Sequence, residues 1–410
     1  MKLKKIIALS TAVALLAGTG ITLGLTLKDR GKEPTPPIIE SGIESSTGAK
    51  MSWNDLITNN YVTVENNKIV SIDEKKVCGE NETFTFTIPE DAGITEIGFD
   101  AFNECMKLTS ISIPSTVTYI NTDAFYNCDN LQSVTFESGS SLTAIGYGAF
   151  TYCEKLTTID IPSSVTRIDQ SAFIGCTALP SINIPAGVTK LESHVFKDCT
   201  SLSSVNIAGT IVEIEKYAFY NCVSLTSIDA IIKDATVIGE SAFTRCDGFT
   251  EVNFGSSLTK VEKDAFMDCE GLTKITFASN SVEFGLGVFR NCINLTDVVL
   301  PVNSTKISDY MFYNCEDLED FTVSANITNI GYRAFMNCFK LSITFVNSNW
   351  SSSETATFDS TTEITFNDEN KNQIVNELAD YYYQIKTSVE EEPENPESGE
   401  EEGAEGEENI

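Results

Sequence analysis

Twelve cysteines, one histidine and 59 acidic side chains are the groups in this 410-residue chain that could do chemistry. One imidazole, His194, leaves almost nothing for histidine-based triads or histidine-ligated metal centres. Zinc thiolate sites draw their ligands from short converging loops, and no C-x-x-C pair occurs. G-x-S-x-G, G-x-x-x-x-G-K-[ST] and H-E-x-x-H are likewise missing. The carboxylates are plentiful but scattered. No catalytic residue, metal site or cofactor is assigned, and the chain is not expected to be an enzyme. With 27 basic residues and a net charge of −32, it is also not expected to bind nucleic acid.

Eleven of the cysteines share one setting, three residues after a phenylalanine. The pairs are Phe102 and Cys105, Phe125 and Cys128, Phe150 and Cys153, Phe173 and Cys176, Phe196 and Cys199, and Phe219 and Cys222. They continue with Phe243 and Cys246, Phe266 and Cys269, Phe289 and Cys292, Phe312 and Cys315, and Phe335 and Cys338. Successive phenylalanines lie 23 to 25 residues apart. A spacing this regular marks a repeat in which each unit cannot bury its apolar face alone, so the copies must stack.

The unit reads L-x-x-I-x-I-P-x-x-V-x-x-I-x-x-x-A-F-x-x-C, as in Leu108 to Cys128. Its I-x-I portion alternates like a short strand with one buried face, and the following Pro stops it. The A-F-x-x-C portion sets Phe and Cys one helical turn apart, facing the same interior. At one repeat phase the cysteines act as small apolar fillers, and buried free thiols are expected rather than disulfides. Cys78 lies outside that phase and reads either as the most reactive thiol or as a buried cap residue.

These residues resemble the BspA-like class of bacterial leucine-rich repeats, over about residues 83–345. The resemblance implies a right-handed solenoid with a parallel sheet on its concave side and short helical turns and loops opposite. It also implies surface-exposed or secreted proteins, several of which act as adhesins. Two departures stand out. The last copy, Leu341-Ser342-Ile343-Thr344-Phe345, is one residue short, and repeat six has Ala230 where a strand Ile is due.

The flanks complete the plan. Residues 1–32 combine Lys2, Lys4 and Lys5 with an uncharged run from Ile6 to Leu27. At about 1.5 Å per residue that run is long enough to cross a bilayer, so an N-terminal membrane anchor is expected, with a cleaved signal as the alternative. Residues 33–50 read as a flexible linker, 51–82 as an N-terminal cap and 346–389 as a C-terminal cap. The C-terminal cap is expected to hold a strand at Ile364-Thr365-Phe366 and a helix over 370–383. Residues 390–410 carry eleven glutamates and read as a disordered acidic tail.

Two stripes are candidate ligand contacts. The outward positions of the strand face are Ser110, Ser112, Ser133, Thr135, Thr158, Asp160, Ser181 and Asn183. They run on through Ser204, Asn206, Ser227, Asp229, Glu251 and Asn253. The alternative stripe is the residue after each Phe: Tyr126, Ile174, Tyr220, Met267 and Tyr313. His194, before Val195-Phe196, reads as an ordinary surface residue. Together these features point to a cell-surface, adhesin-like protein that contacts an extracellular protein or glycan. The alternative is a surface coat or spacer with no specific ligand.

Overall fold

The computed structural model describes residues 42–346 and the backbone of the strands Ser351–Ser352 and Glu363–Phe366. The chain divides into two units, residues 1–39 and 40–410. The expected membrane segment, the C-terminal helix over 370–383 and the acidic tail lie outside the described residues.

The body is a parallel β-solenoid of about eleven coils, and each coil supplies three backbone segments to three stacks. The first stack is the strand read from the I-x-I alternation. Phe84–Thr87, Leu108–Ile113, Ser133–Phe136 and Thr158–Ile159 pair in parallel, with Ile111 beside Val134 and Val134 beside Ile159. The pattern resumes at Ser181–Ile184, Glu251–Phe254 and Asp320–Val323, and Glu363–Phe366 closes it against Ser342–Phe345. Ile182 and Ile184 are buried while Ser181 and Asn183 face out, as the period of two requires.

The second stack has no counterpart in the sequence reading, which places one strand in each repeat. The isoleucine before A-F-x-x-C closes a two-residue strand, and Ile97, Ile120, Ile145 and Ile168 align from coil to coil. Two residues cannot display an alternation, so the pattern left this ladder invisible.

The third stack is tighter than the helical turn that the Phe–Cys spacing predicts. In the coil around Phe125, three overlapping turns close through N–H donation from Ala124 to Asn121, Tyr126 to Asp123 and Cys128 to Phe125. The intervening N–H groups of Asp123, Phe125 and Asn127 donate instead to the next coil, at Tyr147, Ala149 and Thr151 (2.8–2.9 Å). This arrangement needs positive φ before Ala and again before Cys, as at Asp123 (52°) and Asn127 (56°). Asn, Asp and Gly fill many of these positions because they tolerate the left-handed region.

Phe and Cys nevertheless share the interior, as expected. The rings stack from coil to coil with centroids 4.9 Å apart at Phe102–Phe125 and 5.8 Å at Phe289–Phe312. All twelve cysteines are free thiols. In repeat six the Ala230 departure has a structural result: a single helical turn, Asp229–Ile232, replaces the strand and interrupts the sheet.

Order begins earlier than the linker reading allows. Gly42–Ser45 pairs antiparallel with Phe84–Thr87, burying Ile43, and Lys50–Ser52 pairs on its other edge. A second hairpin, Val62–Glu65 with Lys68–Ile72, caps the short-strand stack by setting Ile69 beside Ile97. Trp53 stacks on Phe86 at 6.1 Å and covers the start of the ring ladder. Antiparallel hairpins thus cover both open edges at this end, which a solenoid requires of its caps.

Candidate functional site

Most of the strand-face residues lie on or beside the strands read from the alternation; Asp229 does not, because it opens the helical turn that replaces the strand of repeat six, and Ser227 just before it is outside any strand. Ser110, Ser112, Ser133 and Asp229 are half-buried, and Thr135, Thr158, Asp160, Ser181, Asn183, Ser204, Asn206, Ser227, Glu251 and Asn253 are exposed. Several of them bond to one another across coils. Asn206 Nδ2 donates to Asn183 Oδ1 (2.9 Å), Asn253 Nδ2 to Asp229 Oδ2 (3.1 Å), and Thr276 Oγ1 to Asn253 Oδ1 (2.7 Å). Ser112 Oγ donates to Glu137. These partners lie within the chain, so the face is partly satisfied by itself.

The turn face is different. Tyr126, Ile174, Tyr220, Met267 and Tyr313 are half-buried. Where the stripe carries threonine, the side chain turns inward: Thr151 and Thr244 are buried and donate to the carbonyls of Ser171 and Asp264. Tyr126 meets Tyr152 of the next coil at 5.9 Å, whereas two other members meet a second column, the residue two places before each Phe. Tyr220 meets Tyr217 at 5.8 Å and Tyr313 meets Tyr310 at 5.7 Å.

One such meeting forms a groove of about 570 Å³, lined by His194, Lys197, Tyr217, Tyr220, Glu240, Ser241, Lys263, Asp264 and Met267. His194 stacks on Tyr217 with centroids 5.0 Å apart, and Lys197 Nζ sits 5.6 Å from the centre of the Tyr220 ring. Across the groove, Lys263 Nζ lies 3.6 Å from Glu240 and 3.5 Å from Asp264. The lysine is mostly exposed, so these pairs are screened and contribute little stability.

Two polar atoms of the groove have no partner: His194 Nδ1 and Asp264 Oδ1. Burial, then Lys197 and Lys216, hold the imidazole below its ordinary pKa. Burial raises the Asp264 carboxyl, opposed by Arg290 and Lys263. Tyr217 adds backbone strain: its φ of 57° costs a bulky residue roughly 1–2 kcal/mol. That φ belongs to the turn geometry of the whole stack, which also holds Tyr310 and Arg333 in the left-handed region.

The stripe pattern marks Tyr220 and Met267 but not Lys197, Tyr217, Glu240, Ser241, Lys263 or Asp264, and His194, expected as an ordinary surface residue, is half-buried in the groove lining. The available signal was an aromatic side chain before Val195 and again before Ala218, in a column otherwise rich in Asp, Ser and Gly. A smaller notch of about 280 Å³ lies over the short-strand stack, where Ala144 separates Tyr119 from Arg167. Among the described residues no cluster of three or more His, Cys, Asp or Glu side chains could hold a metal, and no helix is long and apolar enough to cross a membrane.

The sequence model of the BspA type leucine rich repeat region matches residues 95–226 and 212–342. The chain belongs to this family. Solved leucine-rich repeat proteins match it over most of their length. One from Bacteroides ovatus is 24% identical, with 74% of this chain and 88% of that one covered at a TM-score of 0.53. A leucine rich cell surface protein from Faecalibacterium prausnitzii is 26% identical, covering 76% and 93% at a TM-score of 0.47. The pneumococcal vaccine antigen PcpA is 17% identical, covering 76% and 87% at 0.45. No curated protein matches the chain. The Bacteroides ovatus likeness supports the leucine-rich repeat solenoid as a fold.

Proposed function

We propose that this leucine-rich repeat protein is a non-enzymatic, adhesin-like binding protein of the cell surface, with an extracellular protein or glycan as ligand. The groove around Tyr217 and Tyr220 carries the reading. It gathers aromatic, cationic and anionic side chains in one concavity. Surface placement rests on the N-terminal residues 1–32, a positive segment and an uncharged run suited to a membrane anchor or, alternatively, a cleaved signal.

A coat or spacer without a specific ligand is the second reading. The net charge of −32 and the cross-coil bonding of the strand-face asparagines favour it. Saturation binding of the full chain to an array of extracellular-matrix proteins and glycans, at two salt concentrations, separates the two. A saturable partner is the expected result, and its salt dependence reports how far charge drives it. A blank array would transfer the function to the coat.

A further inference from the structure

We infer that the His194–Met267 groove takes a neutral glycan built of pyranose units, an assignment that rests on the binding reading above. The ring arrangement is the first reason. Tyr217 and Tyr220 lie at 63° to one another with centroids 5.8 Å apart, and His194 stacks against one face of Tyr217, leaving the other face and the Tyr220 ring to line the groove. They present aromatic surfaces on different planes at one place. A pyranose has an apolar C–H face and a polar hydroxyl rim, which matches rings with polar tips set in a polar groove.

The polar rim supplies the second reason. Glu240 and Lys263 are both solvent-accessible and lie 3.6 Å apart, placing an acceptor beside a donor. Neighbouring ring hydroxyls each donate and accept, so they can bond both members of such a pair. Charge balance then argues for a neutral ligand. The groove carries Lys197 and Lys263 against Glu240 and Asp264, and Lys197 also faces Asp198 at 3.9 Å. The lining itself offers an anionic sugar no surplus of cations, with Lys216 and Arg290 standing outside it, and the chain as a whole would repel such a sugar.

Size supplies the last reason. About 570 Å³ falls in the range of small-ligand sites. A stable protein contact instead covers roughly 800 Å² on each side around an apolar centre.

The test is titration of the full chain with neutral oligosaccharides of three to six units (glucan, galactan, mannan and chitin fragments). Sulfated and uronic-acid fragments of equal length form the charged arm, and the matrix-protein array runs in parallel. Tyr220→Ala and Glu240→Gln are compared with the strand-face control Asn183→Ala, after thermal melting has shown each variant folded. The expected result is saturable binding of a neutral fragment, weakened about tenfold by either groove substitution and unchanged by the control. Binding confined to charged fragments or to proteins would overturn the glycan class while leaving the binding reading intact. Neutral binding indifferent to Tyr220 and Glu240 would overturn the site, and no binding of any probe would overturn both readings.

Discussion

The thiol of Cys246 donates to the carbonyl oxygen of Phe219 in the preceding coil, at 3.1 Å. The same bond recurs from Cys128 on Phe102 to Cys338 on Phe312, at 3.0–3.2 Å throughout. The phenylalanine carbonyl closes a turn within its own coil and points inward, beyond reach of the ladder N–H groups. Cysteine is thus more than a filler: a buried oxygen with a second lone pair to satisfy receives a weak donor that tolerates apolar surroundings.

Cys246→Ala should therefore destabilise the solenoid by about 1–3 kcal/mol, through a small cavity and a lost bond to Phe219. Cys78→Ala, at a half-buried position outside the ladder, should cost less than about 1 kcal/mol. The midpoint of urea unfolding measures both. The Cys78 thiol also donates, to the Glu82 carbonyl at 3.4 Å, so equal shifts would show that the shorter, buried ladder bond adds nothing beyond that weaker contact.

Thiol reactivity should divide the same residues differently. Burial raises the pKa of the ladder thiols at Cys128, Cys176 and Cys269, and shields them from reagents. Burial also raises Cys78, but that side chain remains partly accessible. A disulfide reagent at pH 8 should label one thiol per native molecule, Cys78, and label it faster as pH rises. The other eleven should react only on unfolding. Peptide mass mapping of the native adduct checks the assignment, and rapid labelling of any ladder cysteine would contradict the burial.

Glycine substitutions should discriminate between the loop and the turn stack. Gly139 has φ of 78° with open space where a Cβ would go, so Gly139→Ala should cost only the left-handed penalty, about 1–2 kcal/mol. Gly148 has φ of 60°, and a Cβ there would also strike the Asp123 carboxylate of the preceding coil. Gly148→Ala should lower the melting temperature further than Gly139→Ala does. Equal losses would mean that Asp123 moves aside freely.

Much of this architecture was legible because the chain states it eleven times. The Phe102–Phe125 stacking follows from one residue type recurring at one spacing, and the outward Ser181 and Asn183 follow from alternation. The Ala230 departure correctly marked the coil where the strand fails. The short-strand stack stayed hidden because Ile120 and Ile145 each stand in a strand only two residues long. The groove stayed hidden for another reason. Repeat reading treats variable columns as solvent-facing, whereas Tyr217 and His194 become a surface only when neighbouring coils set them 5.0 Å apart.

His194 should make the stability of this region depend on pH. Its folded pKa lies below the ordinary value of 6.5, first through burial and then through Lys197 and Lys216. Above the unfolded value both states are neutral and the full stability is present. As pH falls from there toward the folded value, the unfolded chain binds the proton first, so stability is lost. Asp264 works in the opposite sense: its raised pKa means that stability falls as pH rises through its own range, near the acidic end. The carboxyl window runs upward from 3.8 and the imidazole window downward from 6.5, with opposite signs, so the upper part of the interval reports on His194. Urea midpoints for the native chain and His194→Asn, taken from pH 8 down to pH 5, should diverge below about pH 6.5, with the variant losing less. Parallel curves across that interval would show that the imidazole is as well solvated in the folded groove as in the unfolded chain.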